Sequence, residues 1–196
     1  MNNSYKIIIV GDACVGKTSI INTYMNKNVE TNATIGAEYT KKYIDKYDIT
    51  LHLWDCAGQE RYRALCKIYF RNTYLCLLVF DLSNIKTFNS IKDYWLIKYL
   101  EMCDESYKII LVGNKSDIKN NIDYKIINDF CKLYNLYYIE TTIKNINTLT
   151  MLFDKICSII TNNNELNADL NADLNIINLN SKVDNKKSYN LLSTYC

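Results

Sequence analysis

The sequence predicts an α/β fold: a mostly parallel sheet with helices on both faces. Three observations carry that prediction. Apolar runs of strand length alternate with amphipathic stretches of helix length, the order that parallel strand–helix–strand units require. Two of the runs, residues 75–80 and 108–112, are apolar almost without interruption, as strands covered on both faces must be. The chain has 196 residues, 48% hydrophobic and 22% charged. That suffices for one globular domain burying about two-thirds of its unfolded surface.

The elements follow in order. Residues 6–10 read as a buried strand that breaks at Gly11 into a glycine-containing loop, and residues 18–25 continue with helical spacing. Residues 39–44 and 50–54 alternate as two short strands joined by the polar turn 45–48, which predicts one antiparallel pair at the sheet edge. Residues 75–80, 108–112 and 137–140 supply the other strands, and residues 88–101, 124–133 and 148–160 the other helices. Ligands of such sheets bind beyond the carboxyl ends of the strands. After Thr161 the composition changes: residues 162–180 are rich in asparagine and carry the internal echo LNADLNADLN. Leu166, Leu170 and Leu174 recur every four residues, so the segment reads as a mobile linker or as a partly helical docking segment. The expected division is a domain over residues 1–161 and a tail over 162–196.

Composition excludes several classes. Lys and Arg number 23 against 21 Asp and Glu, a net charge of +2, so no nucleic-acid partner is expected. The absence of proline rules out a PxxP ligand. The eight cysteines include no CxxC pair, and His52 is the single histidine, so zinc spacing is missing. The apolar run 7–10 stops far short of a secretory signal, and residues 75–80 are too few to span a bilayer. Reduced thiols in a cytosolic setting are expected. Cys196, the last residue, stands apart.

Chemistry concentrates in short motifs at strand ends. Gly11, Asp12, Ala13, Cys14, Val15, Gly16, Lys17 and Thr18 match GxxxxGKS/T between a strand and a helix. Glycines let backbone N–H groups close around phosphate oxygens, and the helix N-terminus faces them. Lys17 is expected at the β- and γ-phosphates and Thr18 on Mg²⁺. In WDCAGQE, Asp55 lies at a strand end to hold Mg²⁺ through water, Gly58 offers an N–H to the γ-phosphate, and Gln59 orients the attacking water. Thr34, before Ile35 and Gly36, brings a second hydroxyl to Mg²⁺. In Asn114-Lys115-Ser116-Asp117, the Asp117 carboxylate accepts two N–H bonds from the N1/N2 edge of guanine, a donor pair that adenine lacks.

Together, GDACVGKTS, TIGAEY, WDCAGQE, GNKSD and Glu140-Thr-Thr-Ile-Lys144 resemble the Ras superfamily of small GTPases. IGAEY, RYRALCKIYFRNT and LVFDLSNIKTFNSI resemble the Rab branch in particular, and the likeness covers roughly residues 5–161. The resemblance implies a P-loop NTPase with a six-stranded sheet and five helices, a GTP/GDP–Mg²⁺ site and two switch loops. It places Lys115 against the base plane, and Thr142, Ile143 and Lys144 in the loop whose backbone meets the guanine O6. It makes Tyr39, Trp54 and Tyr69, with Ile35 and Gly36, a surface read by effectors. Taken alone, those aromatics also read as core residues.

Departures from the family pattern carry expectations of their own. The interval from Thr18 to Thr34 is two residues short for a Rab and residues 28–33 hold no aromatic, which implies an uncapped base and faster exchange. Cys56 stands where the family has Thr, and Ile143 where it has Ala, implying an outward-displaced loop. Gln59 is present, Ala13 leaves room beside the γ-phosphate, and no arginine lies in residues 28–38. Slow intrinsic hydrolysis with a GTPase-activating partner follows. Arg61, Arg63 and Arg71 read as surface or effector contacts, His52 as solvent-facing, and Trp95 as helix packing. The resulting expectation is a switch that recruits effectors in vesicle trafficking, served by an exchange factor, prenylation and GDI machinery, with a lipid on Cys196 at the cytoplasmic face of a membrane. Lys182, Lys186 and Lys187 add only a weak basic patch, so one lipid implies reversible anchoring; an unmodified Cys196 is the other reading. A GTP-binding scaffold with little hydrolysis remains as an alternative function. A P-loop kinase or ATPase is disfavoured by Asp117.

Overall fold

A computed structural model describes residues 3–27, 34–62, 66–103 and 107–161. The tail 162–196 with Cys196, the stretch 28–33 and Arg63 lie outside the described residues. Six strands, β1 (Ser4–Val10), β2 (Ala37–Ile44), β3 (Ile49–Cys56), β4 (Leu75–Asp81), β5 (Ile109–Asn114) and β6 (Tyr137–Thr141), form one sheet in the order β2-β3-β1-β4-β5-β6. β2 pairs antiparallel with β3, and every other pairing is parallel. Among the described residues five α-helical segments flank it: α1 (Lys17–Tyr24), α2 (Ile85–Ser90), α3 (Leu96–Leu100), α4 (Tyr124–Tyr134) and α5 (Ile146–Thr161).

The unbroken apolar strands have a simple origin. Alternate side chains of a strand point to opposite faces, and each face carries its own core. Ile8, Val10, Leu78 and Phe80 pack with Phe88, Trp95, Phe130 and Tyr138 on one side. Ile7, Ile9, Leu77 and Val79 pack with Ile20, Leu152, Phe153 and Ile156 on the other. All of these are less than one-tenth exposed, so both faces of β1 and β4 contribute burial at about 25 cal/mol per Å² of apolar surface.

Four local details refine or depart from the pattern. The polar turn after β2 is a 3₁₀ turn, Asp45–Tyr47, closed by Asp48 at φ 51°. The helix expected over 88–101 starts earlier, at Ile85, because the Asn84 side chain accepts from the Lys86 N–H at 3.1 Å and caps it. Between α2 and α3 the helix runs through a π-helical turn, Ile91–Trp95. β3 and β5 also extend to Cys56 and Asn114, so the motif residues Asp55 and Asn114 belong to the strands themselves. None of the described cysteines forms a disulfide, and Cys14 alone among them is exposed. Among the described residues no helix is long and apolar enough to cross a membrane.

Candidate active site

The loop from Gly11 to Gly16 leaves the end of β1 and turns into α1. Gly16 holds φ 96° at the helix N-cap without a side-chain cap, a left-handed conformation that favours glycine. A Cβ there would also overlap the Asn114 amide. Asn114 donates from Nδ2 to the Val15 carbonyl at 2.8 Å and accepts from Thr141 Oγ1 at 3.0 Å, so it ties the loop to β5 and β6. Lys17 is 6% exposed, and its Nζ donates to the carbonyls of Gly11 at 2.9 Å and Asp12 at 2.7 Å. Burial drives its pKa below the ordinary lysine value, against the pull of the Asp55 charge. Ala13 and Cys14 are exposed, Val15 is buried, and the Asp12 carboxylate is turned toward Ser90 and Trp95.

Three oxygens converge where β1 and β3 end. Thr18 Oγ1 donates to Asp55 Oδ2, and Thr34 Oγ1 lies 3.2 Å from Thr18 Oγ1 and 3.4 Å from Asp55 Oδ2. Asp55 is 2% exposed, and its Oδ1 is buried without a hydrogen-bond partner. Burial raises its pKa; the bond from Thr18 and the Lys17 charge oppose the rise. Gly58 lies so close to the Asp12–Ala13 peptide that any Cβ would overlap the Asp12 carbonyl. Gln59 Oε1 accepts from Arg61 Nε at 2.8 Å, a contact made with a side chain that sequence reasoning assigned to the surface.

A second group of side chains surrounds a cavity of about 230 Å³ lined by Gly16, Ser19, Asn114, Lys115, Asp117, Ile118, Ile143 and Lys144. Asp117 Oδ1 accepts from Thr142 Oγ1 at 2.5 Å and Oδ2 pairs with Lys144 Nζ at 2.8 Å. The Lys144 pairing first, then the Thr142 bond, holds its carboxyl below the usual range. Lys115 takes φ 63° and places Nζ 2.6 Å from Asp81 Oδ2. Ile143, exposed at 42%, lines the cavity instead of closing it. Sequence reasoning missed Ser19, Ile118 and Asp81. Asp81 was within reach, because it ends β4 as Asp55 and Asn114 stand at the ends of their strands.

On the outer side of β2 and β3, the rings of Tyr39 and Trp54 are 5.3 Å apart and those of Trp54 and Tyr69 5.2 Å. Tyr39 is exposed, while Trp54 and Tyr69 are half-buried and packed against the core layer of Ile8 and Val10, so the row runs from the surface into the edge of the core. Ile35, 74% exposed, and Gly36 precede this row in the chain. His52 is half-buried at the same face, with Nδ1 2.6 Å from the Tyr39 hydroxyl.

Comparison with known proteins matches this arrangement. The sequence profile of the Ras family fits residues 6–162. The chain is 33% identical over 158 residues to the Ras-related protein Rab-11A of Dictyostelium discoideum, covering 78% of this chain and 73% of that protein. It is 35% identical over 162 residues to a probable Rab-related GTPase of Acanthamoeba polyphaga mimivirus, covering 79% and 75%. It is 36% identical over 162 residues to the Ypt/Rab-type GTPase avaA of Emericella nidulans, covering 77% and 79%. With the strand order, the glycine loop and five ordered motifs already in place, these matches settle the family. The chain belongs to the Ras family and is a Rab-like small GTPase, an enzyme of GTP hydrolysis.

Proposed function

We propose that this chain cycles between GTP- and GDP-bound states and recruits effectors to a membrane in its GTP state. The observation that carries the reading is the convergence of Thr18, Thr34 and Asp55 beside the buried Lys17 ammonium. The donor set is all oxygen, and it includes the orphaned Asp55 Oδ1, which suits a hard cation such as Mg²⁺. Thr18, Thr34 and Asp55 would hold Mg²⁺, which when bound would supply positive charge to neutralise the phosphates.

The remaining roles fall to the chain. Backbone N–H groups of residues 11–18 hold the phosphates, assisted by the uncapped start of α1. Lys17 places its charge from inside the loop, Gly58 brings its N–H to the γ-phosphate, and Gln59 orients the water. Asn114, Lys115 and Asp117 hold the guanine with the backbone of Thr142, Ile143 and Lys144. Asp117 selects it by accepting from N1 and N2, with Lys144 giving way to the base. Ile35, Gly36, Tyr39, Trp54 and Tyr69 form the effector surface, since Ile35 and Tyr39 are exposed apolar side chains and the half-buried Trp54 and Tyr69 rings continue the patch from Tyr39. Residues 1–161 are the catalytic domain and 162–196 a tether prenylated at Cys196, delivered by GDI-type carriers, serving vesicle trafficking. An exchange factor and a GTPase-activating protein set the cycle, because residues 28–38 carry no arginine to act in cis.

Identification of the nucleotide released from the purified full chain tests the reading. GDP or GTP is expected, lost faster when magnesium is chelated, with ATP failing to compete. Adenine nucleotide in the released fraction, or competition by ATP equal to that by GTP, would contradict it. The hydrogen bond from Arg61 to Gln59 favours a second reading, a GTP-bound scaffold that hydrolyses very slowly. In that case Arg61→Ala accelerates hydrolysis.

A further inference from the structure

We infer that Ser90 and Trp95 are positioning residues for the phosphate-binding loop, and that the π-helical turn Ile91–Trp95 lets them act together on Asp12. The inference rests on the phosphate role proposed above for residues 11–18.

In an α-helix successive residues turn by about 100°, so side chains five apart diverge by about 140° and do not share a target. A turn bonded from i to i+5 stacks them on one face. Ser90 Oγ donates to Asp12 Oδ1 at 2.7 Å, and Trp95 Nε1 donates to the same oxygen at 2.9 Å. The π-helical residues fill the interval between the two donors. Trp95 is fully buried in the core layer that holds Phe88 and Tyr99, so its N–H is fixed by helix packing.

Asp12 passes that constraint on. Its carbonyl accepts from Lys17 Nζ at 2.7 Å, and Gly58 is stacked on the Asp12–Ala13 peptide. One residue therefore joins the α2–α3 rod to two groups assigned to the phosphates. A shift of the rod moves Lys17 and Gly58 together, and loss of the two donors loosens the loop at Asp12, while Asn114 still holds it at Val15.

Release of a fluorescent GDP, mant-GDP, from the full chain in magnesium tests this. Trp95→Phe keeps an aromatic ring in the core and removes the N–H, and Asp12→Ala removes the acceptor. Trp95→Phe is expected to speed release about tenfold, the loss of one charge-assisted bond, and Asp12→Ala at least as much, because it loses both. The double variant is expected to be no faster than the faster single one, because both act through the same oxygen. Ser90→Ala shifts the rate in the same direction. Release from Trp95→Phe within about twofold of wild type overturns the positioning role. So does a double variant whose acceleration is the product of the two, since a packing defect acts independently of Asp12. A wild-type chain unable to retain mant-GDP contradicts the nucleotide site itself, and this inference with it, before any substitution is made.

Discussion

The hydroxyl of Thr34 lies 3.2 Å from that of Thr18, sixteen positions earlier in the chain, and both face the Asp55 carboxylate. Thr18 sits on the first turn of α1, whereas Thr34 precedes β2. A loop is thus tied to a helix through oxygens suited to one cation. If that cation bridges to the phosphates, Thr18→Ala weakens magnesium-dependent GDP retention by about tenfold or more. With magnesium chelated, wild type and variant should release GDP at similar rates. Equal rates in magnesium would remove Thr18 from the site.

Asp117 meets Thr142 and Lys144 at separate oxygens, which orients the carboxylate toward the cavity between Lys115 and Ile143. Asp117→Asn replaces one acceptor oxygen by an N–H donor. Guanine N1–H and N2–H then face a mismatched group, and GDP affinity is expected to fall about a hundredfold or more. Titration with GDP and ADP reads the change. An unaltered preference for GDP would place base recognition elsewhere.

Cys14 is the exposed thiol of the described set, at φ 62° within the phosphate loop. Burial pushes the thiols of Cys131 and Cys157 up to about 12, which leaves almost no thiolate at neutral pH. Alkylation with peptide mass mapping should therefore modify Cys14 first among these three. Bound GDP should slow that reaction markedly, because the phosphates cover the loop. Labelling of Cys14 at the same rate with and without GDP would count against the loop as phosphate site.

Asp81 is buried, which opposes its charge, yet Lys115 and Ser83 bond it and hold its carboxyl below the ordinary value. A carboxylate depressed in the folded state stabilises above its unfolded pKa of about 3.9, and that contribution fades as pH falls through the folded value. Thermal midpoints of wild type and Asp81→Asn should thus differ most at neutral pH and converge on acidification below about pH 4. A gap that widens with acid would reverse the sign.

Much of the molecule was legible in its sequence because the decisive signals are local. The glycine loop, the apolar runs and the strand-end acids each depend on a few neighbouring residues. Contacts that depend on register or helix phase were not. His52 reads as solvent-facing from its alternation with Leu51 and Leu53, but it is half-buried against Tyr39, a contact set by the pairing that places Tyr39 opposite Trp54. Trp95 reads correctly as a packing residue, but its bond to Asp12 spans 83 positions and depends on a π-turn that a 3.6-residue period does not encode. Likewise, no motif spacing forecasts Lys115 on Asp81 or Arg61 on Gln59.

Single-turnover hydrolysis of GTP in magnesium by wild type and Gln59→Leu tests the switch most directly. A slow but measurable wild-type rate is expected, reduced at least about tenfold in the variant, with GTP affinity unchanged. Equal rates for the two proteins, both at the uncatalysed background, would contradict it.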